Sequence, residues 1–307
     1  MCVKTRQRQR ITIYITVENH VFFYYMNMIK IPLQRINSPE ILEFPILCVN
    51  LIGRQVTFIT VADIIDAIAT ACVEKKKIVI ANYNVHSFNL SMQIPWFYSF
   101  LQNSEIAHCD SVGILKATEC MGLKLPLQYR ASYTLLMPKL LEHCDRQRLS
   151  IFLLGAKPEH SNAAVERVQA QYPNMMVKGH HGYFDMHDPY QNNEVLNQIS
   201  QAKPNILIVG MGMPIQENWI SINRERIEDT NVIMSGGAAI DRLAGVVPDC
   251  PTFLSNIGLE WLYRLCREPK RLATRYLIGN LAFILHIILA KSYSSSLEVQ
   301  LKDNLIK

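Results

Sequence analysis

A chain of 307 residues, 49% of them apolar, can bury a large core as one α/β domain or two smaller halves, which excludes a disordered tail. The formal charge of +5 is modest and uneven, with its basic excess in the first ten residues and after Trp261, and this argues against a general nucleic-acid binder. Eight cysteines stand singly without a C-x-x-C pair, the pattern of reduced, mostly buried thiols in a cytoplasmic protein, not of a disulfide scaffold or a cysteine-held metal.

Residues 1–45 read as an extension: a basic start, an aromatic patch from Val21 to Met28, then Pro32, Pro39 and Pro45. The start lacks the apolar core and cleavage site of a secretory signal, and no segment reaches the roughly 18 to 20 uninterrupted apolar residues of a bilayer span. From residue 46 to about 255, strands alternate with helices, the pattern of a parallel sheet covered on both faces. Cys48–Val56 gives a short strand and turn. Thr60 is placed to cap a helix running to Lys75, with Ile64, Ile65, Ile68 and Cys72 on one face. Lys77–Ala81 is a buried strand whose polar end, Asn82, Tyr83 and Asn84, either lines a crevice or only satisfies a turn.

Phe88–Leu101 reads as a single amphipathic helix. Ile106–Asp110 is a short strand ending in an acid; Asp110 is either a helix cap or a carboxylate that backbone N–H groups keep ionised, suited to general-base work. Arg130 follows the loop Gly122–Gln128 and introduces a helix through Pro138 to Arg148. A second half opens at Leu149–Leu154 with Gly155, then a helix from Lys157–Pro158 and a strand at Met175–Val177. His180 and His181 are neighbours that point to opposite faces of a strand, so they do not share a metal.

Ile206–Val209 is an apolar run without alternation, the signature of a central parallel strand. Gly210 and Gly212 let the backbone turn and approach a ligand, Pro214 suits the first turn of a helix, and Gln216 with Glu217 is expected to face the crevice. The third glycine of a dinucleotide fingerprint is absent, which argues against a nicotinamide cofactor; an amide and a carboxylate better suit a uracil, ribose or sugar hydroxyl. Asn231–Met234 is the next strand, running into Gly236, Gly237 and, four residues on, Asp241. These small residues fit a sugar-nucleotide pocket or close helix packing equally. Residues 256–307 form a basic, aromatic and then apolar helical tail, with Arg264, Arg267, Lys270, Arg271 and Arg275 before an apolar helix at Tyr276–Ala290 that reads as shorter than a span. Such a pair can lie on an anionic membrane surface.

Taken together, the CDSVG segment, HGYF, GMGMPIQENWI, GGAAIDRLAG and LEWLYRLCREPKRLATRY, in this chain order, resemble the bacterial WecG/TagA/CpsF glycosyltransferases over about residues 46–281. The resemblance implies a Rossmann-like α/β core in two halves, a membrane-contacting C-terminal appendage, and no cofactor. It also implies transfer, with inversion, of an N-acetylmannosamine-like sugar from a UDP-sugar donor to a polyprenyl-diphosphate-linked sugar at the inner face of the cell membrane. Carried over by motif, Asp110 is the general base. Asn82, Asn84, Arg130, Gly210, Gly212, Gln216, Glu217, Gly237 and Asp241, with Arg264, Arg271 and Arg275 of the appendage, bind substrate. No Asp-x-Asp pair stands ready for a divalent ion, so the diphosphate falls to cations and helix N-termini.

The chain departs from the family pattern at Ser111, at Asn82, at Asp249–Cys250, and between Arg130 and Leu135, where a glycine and a carboxylate give way to Tyr133 and Leu135. A reshaped donor pocket follows from Tyr133. The alternative is a sugar-nucleotide-binding homologue without catalysis, acting in a polysaccharide assembly complex. Oligomeric state is left open, a homo-oligomer included.

Overall fold

The structure, a computed structural model, describes residues 12–15, 44–293 and 297–302. The aromatic patch at Val21–Met28 lies outside the described residues. Ten strands among those described form one sheet. They are β1 (Thr12–Ile15), β2 (Leu47–Leu51), β3 (Arg54–Phe58), β4 (Ile78–Tyr83), β5 (Ile106–Cys109), β6 (Ser150–Gly155), β7 (Met176–His180), β8 (Ile206–Gly210), β9 (Val232–Ser235) and β10 (Leu297–Leu301), in the order β1-β10-β2-β3-β5-β4-β9-β8-β6-β7.

From β3 to β7 every pairing in that order is parallel. Strands β4, β8 and β9 are buried along their whole length, which is why they read as unbroken apolar runs and not as alternation. Two apolar clusters, one on each face of the sheet, complete the sandwich. The first half builds outward from β4 to β5; the second builds outward from β6 to β7 and then returns inward through β8 and β9 to meet β4, so the strand order reverses between β6 and β8. In such sheets the crevice outside the carboxyl ends at the reversal is where ligands bind.

The covering helices follow local signals. Helix α1 (Val61–Glu74) starts at a capping box in which the Thr60 side chain accepts from Asp63 N–H and the Asp63 side chain accepts from Thr60 N–H. The expected single helix over Phe88–Leu101 is instead two, α2 (Val85–Gln93) and α3 (Pro95–Asn103), because Pro95 has no N–H and excludes a helical conformation at the residue before it. Helix α4 (Val112–Cys120) follows β5, and α5 (Tyr133–Gln147) leads into β6. Helices α6 (Pro158–Gln171) and α7 (Pro189–Ala202) flank β7, while α8 (Ile215–Asn223) and α9 (Ala239–Leu243) follow β8 and β9. Trp219 of α8 is fully buried, and its indole N–H donates to Asn192 Oδ1 at 2.8 Å, so its polar edge is satisfied inside the core.

Beyond the core come α10 (Thr252–Asn256), α11 (Glu260–Arg267) and α12 (Pro269–Ala273). A π-helical turn (Thr274–Ile278) then runs into α13 (Gly279–Ser292). The last helix was expected to fall short of a span; the structure runs it for 19 residues, Thr274–Ser292, long and apolar enough by length and composition to cross a membrane. The added length comes from polar ends, Thr274–Arg275 and Lys291–Ser292, which lower apolarity without breaking the helix. Its inner side packs on the core through Phe283, edge-on to Phe88 at 5.1 Å, and through Asn89, whose amide donates to Gly279 O at 2.7 Å. Its other side leaves Leu281, Ile284, Leu285 and Ile288 half or more exposed. The chain then returns to the sheet, where β10 pairs antiparallel with β2 on one side and β1 on the other.

Candidate active site

A cavity of about 920 Å³ opens at the carboxyl ends of β4, β6, β8 and β9 and is closed on its outer side by α11 and α12. Asp110, the residue after β5, is half-buried on its wall. Asn82 and Asn84 stand two apart at the end of β4 and so point the same way. Asn82 Nδ2 donates to Asp110 Oδ2 at 3.0 Å, and Asn84 Nδ2 lies 3.5 Å from the same oxygen. The two readings of Asn84 are both realised, because its Oδ1 also caps α2 by accepting from His86 and Ser87 N–H at 2.9 and 3.0 Å. The N-cap of α4 is Ser111, which leaves Asp110 free of that task.

Burial pushes the Asp110 carboxyl up to about 6, and the negative charge of Glu260 pushes the same way. The hydrogen bond from Asn84 and the charges of Arg242 and Arg264 oppose it. A carboxylate with that affinity is ionised at neutral pH yet basic enough to take a proton in a transition state. His108, two residues upstream, is fully buried and held neutral by that burial, with its pKa lowered to about 4. Its ring meets Tyr133 at 5.8 Å.

Gly210, Gly212 and Gly237 line the cavity, whereas Gln216 and Glu217 lie beneath its floor, 0% and 1% exposed. The expectation that this pair faces the crevice is corrected: the first turn of α8 points them inward, under the loop. Gln216 Oε1 accepts from Gly212 N–H at 3.2 Å and Gly237 N–H at 2.9 Å, and its Nε2 donates to Glu217 Oε1 at 2.7 Å. Both glycines hold positive φ, +85° and +55°, which costs other residues and lets both N–H groups converge on one acceptor. One amide therefore staples the loop after β8 to the loop after β9. Burial raises Glu217 to about 7, against the hydrogen bond from Gln216 and the charge of Arg275.

Arg130, expected at a diphosphate, is 3% exposed and does not line the cavity. Its guanidinium donates to Ser255 O and Ser255 Oγ, the latter at 2.9 Å, and to Asn256 Oδ1 at 3.1 Å. It fastens α10 to the core. Asp241 does line the cavity and lies 2.7 Å from His160 Nδ1. Arg264 and Arg275 line the opposite wall, and the Arg275 guanidinium also sits 5.7 Å from the Tyr276 ring. Arg271 falls in α12, and its side chain lies outside what the structure describes.

The sequence matches the family described as "Glycosyl transferase WecG/TagA/CpsF family" over residues 49–296, nearly the whole chain. The chain belongs to the WecG/TagA/CpsF glycosyltransferase family. It is similar to the N-acetylglucosaminyldiphosphoundecaprenol N-acetyl-beta-D-mannosaminyltransferases of Staphylococcus aureus strains MW2 and NCTC 8325. Both are 32% identical over 195 residues, covering 64% of this chain and 73% of theirs. The protein of strain MRSA252 is 31% identical over the same span.

As a WecG/TagA/CpsF glycosyltransferase, the protein carries three site residues that its motifs did not single out. Arg242 and Glu260 line the cavity and pair across it, with Arg242 Nη2 3.2 Å from Glu260 Oε1; His160 is the partner of Asp241. Arg242 lies inside GGAAIDRLAG and Glu260 inside LEWLY, so motif position alone could have nominated them, but their pairing spans 18 residues and depends on the fold. Tyr133 lines the cavity, and its hydroxyl donates to Ser235 O, bridging the second half's β9 to the start of α5. Its ring takes up space on the Asp110 side of the cavity.

Proposed function

We propose that this glycosyltransferase moves an N-acetylmannosamine-like sugar from a UDP-sugar to a polyprenyl-diphosphate-linked N-acetylglucosamine, inverting the anomeric carbon and working at the inner face of the cell membrane. One observation carries the mechanism: a half-buried carboxylate, held by two amides, faces a cavity whose other wall bears arginines. Asp110 takes the proton from the acceptor hydroxyl while that oxygen attacks the anomeric carbon. The bond from that carbon to the diphosphate breaks, and UDP leaves with the electron pair.

The leaving charge falls to Arg264 and Arg275, since guanidinium forks bind phosphate oxygens at two points. The S. aureus relatives are named for transfer of N-acetylmannosamine to a lipid-diphosphate-linked N-acetylglucosamine, which supports the choice of sugar and acceptor. Membrane association is supported by the exposed apolar side of α13 and by the exposed bases Arg267 and Lys270 earlier in the same appendage. Near anionic headgroups each such cation adds on the order of 1 kcal/mol, screened by salt.

The decisive experiment is incubation with a panel of UDP-sugars and a short-chain polyprenyl-diphosphate N-acetylglucosamine, following UDP release. Release that needs both substrates is expected; a panel that binds but never turns over would discard the proposed donor and acceptor.

A further inference from the structure

The charges around the cavity do not suit the ligand that the proposed function places there. Lys157, Arg242, Arg264 and Arg275 face Asp110, Asp185, Asp241, Glu260 and Glu268, four cations against five carboxylates. A diphosphate entering such a wall meets a net excess of its own sign, and in a partly dry cavity that repulsion is costly.

The strongest local conflict is at Arg242. It sits on α9, just past the Gly236–Gly237 loop at the end of β9, with its side chain 12% exposed. Its guanidinium donates to Thr134 Oγ1, pairs with Glu260 Oε1 at 3.2 Å, and lies 3.6 Å from Asp249 Oδ1. Thr134 belongs to the core. The two carboxylates do not belong to the sheet: Asp249 lies in the connection out of the core, 63% exposed, and Glu260 is the first residue of α11 in the appendage, 25% exposed. The second oxygen of Glu260 accepts from Ser255 Oγ at 3.1 Å. An appendage carboxylate thus occupies the fork of a core arginine in the way a phosphate would, with both acids partly in water and able to turn away.

We propose that Arg242 is the core's seat for the donor's diphosphate and that Glu260 is the internal anion that holds this seat until the donor displaces it. The inference rests on the nucleotide-sugar reading above. The donor is the source of the diphosphate because Arg242 lies on the core wall, on the helix that follows the Gly237 loop stapled by Gln216, and not on the apolar helix that would carry a prenyl chain. Glu260 and Arg264 stand four apart on α11, one turn of one helix, so the movement that withdraws the carboxylate shifts the arginine with it. Donor entry then replaces a carboxylate–guanidinium pair by a diphosphate held from the core and from the appendage at once.

Calorimetric titration of the full chain with UDP, UMP and uridine tests this on the natural protein, Arg242→Met and Glu260→Gln. Arg242→Met is expected to weaken UDP at least tenfold, UMP less, and uridine less than twofold. Glu260→Gln, which keeps the guanidinium and removes the competing charge, is expected to tighten UDP several-fold. Unchanged UDP affinity in Arg242→Met overturns the assignment, as does an equal loss for uridine, which would mean a collapsed pocket. Weaker UDP binding in Glu260→Gln would make the pair a structural clamp and also overturn it. A loss confined to a short-chain polyprenyl diphosphate, with UDP binding intact, overturns the donor assignment by giving the cation to the acceptor. If the natural protein binds no UDP, the nucleotide reading itself fails, an outcome distinct from all of these.

Discussion

The floor and the rim of the cavity are built on opposite plans. The floor is set by strand ends: Asp110 follows β5, Asn82 and Asn84 end β4, and Gln216 joins two loops through backbone N–H groups. Its polar contacts are made by neutral amides whose backbones are fixed by parallel pairing. The rim is set by charge pairs between separate parts of the chain, Arg242 of the five-residue α9 with Glu260 of the eight-residue α11 and with Asp249 in the connection out of the core. Neutral contacts on a sheet hold one geometry, whereas ion pairs can exchange partners with an arriving anion. The first plan suits the reacting atoms and the second suits a charged group that must come and go.

Substitutions on the floor test this contrast most severely. Asp110→Asn keeps the shape and removes the base, and is expected to lower UDP release by roughly 10²- to 10⁴-fold, the usual worth of a positioned base, while UDP affinity stays within a few fold. Normal turnover in that variant would remove Asp110 from the mechanism. Gln216→Ala should come next: it strands two loop N–H groups and the Glu217 carboxylate, costing on the order of 1–3 kcal/mol of stability. Denaturant melts would show the loss, and full retention of stability would contradict the staple.

A smaller effect concerns pH. With Asp110 near 6, the acid limb of the rate profile is expected near that pH, activity rising as the carboxyl ionises. Glu260→Gln removes a charge that raises Asp110, so the limb should move to lower pH; a limb that stays in place would separate rim from floor electrically. The smallest expected effect is on thermal stability. Because folding raises the Asp110 pKa, its contribution is full below the unfolded value near 3.8 and is lost as pH rises through about 6. Asp110→Asn should therefore melt higher than the natural protein at pH 7.5, with the gap closing below pH 4; an equal gap at both would argue against a strained charge.

The contrast also explains which features were legible. Ile206–Val209 and the run before Asn82 declared a parallel sheet because burial on both faces leaves no alternation, and Asp110 was findable as an acid at a strand's end. Residue type told less about direction. Arg130 and Gln216 carry side chains suited to a ligand, yet one is spent on Ser255 and Asn256 and the other on backbone N–H groups, and only tertiary packing decides that. The Arg242–Glu260 pair was unreadable for the same reason. Strand β10 went unread although Leu297–Leu301 alternates strictly between apolar and polar residues, because five residues after a serine run at the end of a tail that reads as helical give no sign of the distant β2 they pair with.

That last strand has a mechanical consequence. By returning to β2, it ties the far end of the apolar helix to the sheet, while the near end is held to α2 by the Asn89 amide at Gly279 O, so the helix resembles a bridge resting on two abutments, not an oar on one rowlock. Such a member can roll about its long axis or bow, but it cannot swing clear. Whatever meets its outer side would therefore act on the appendage that closes the cavity from a fixed position.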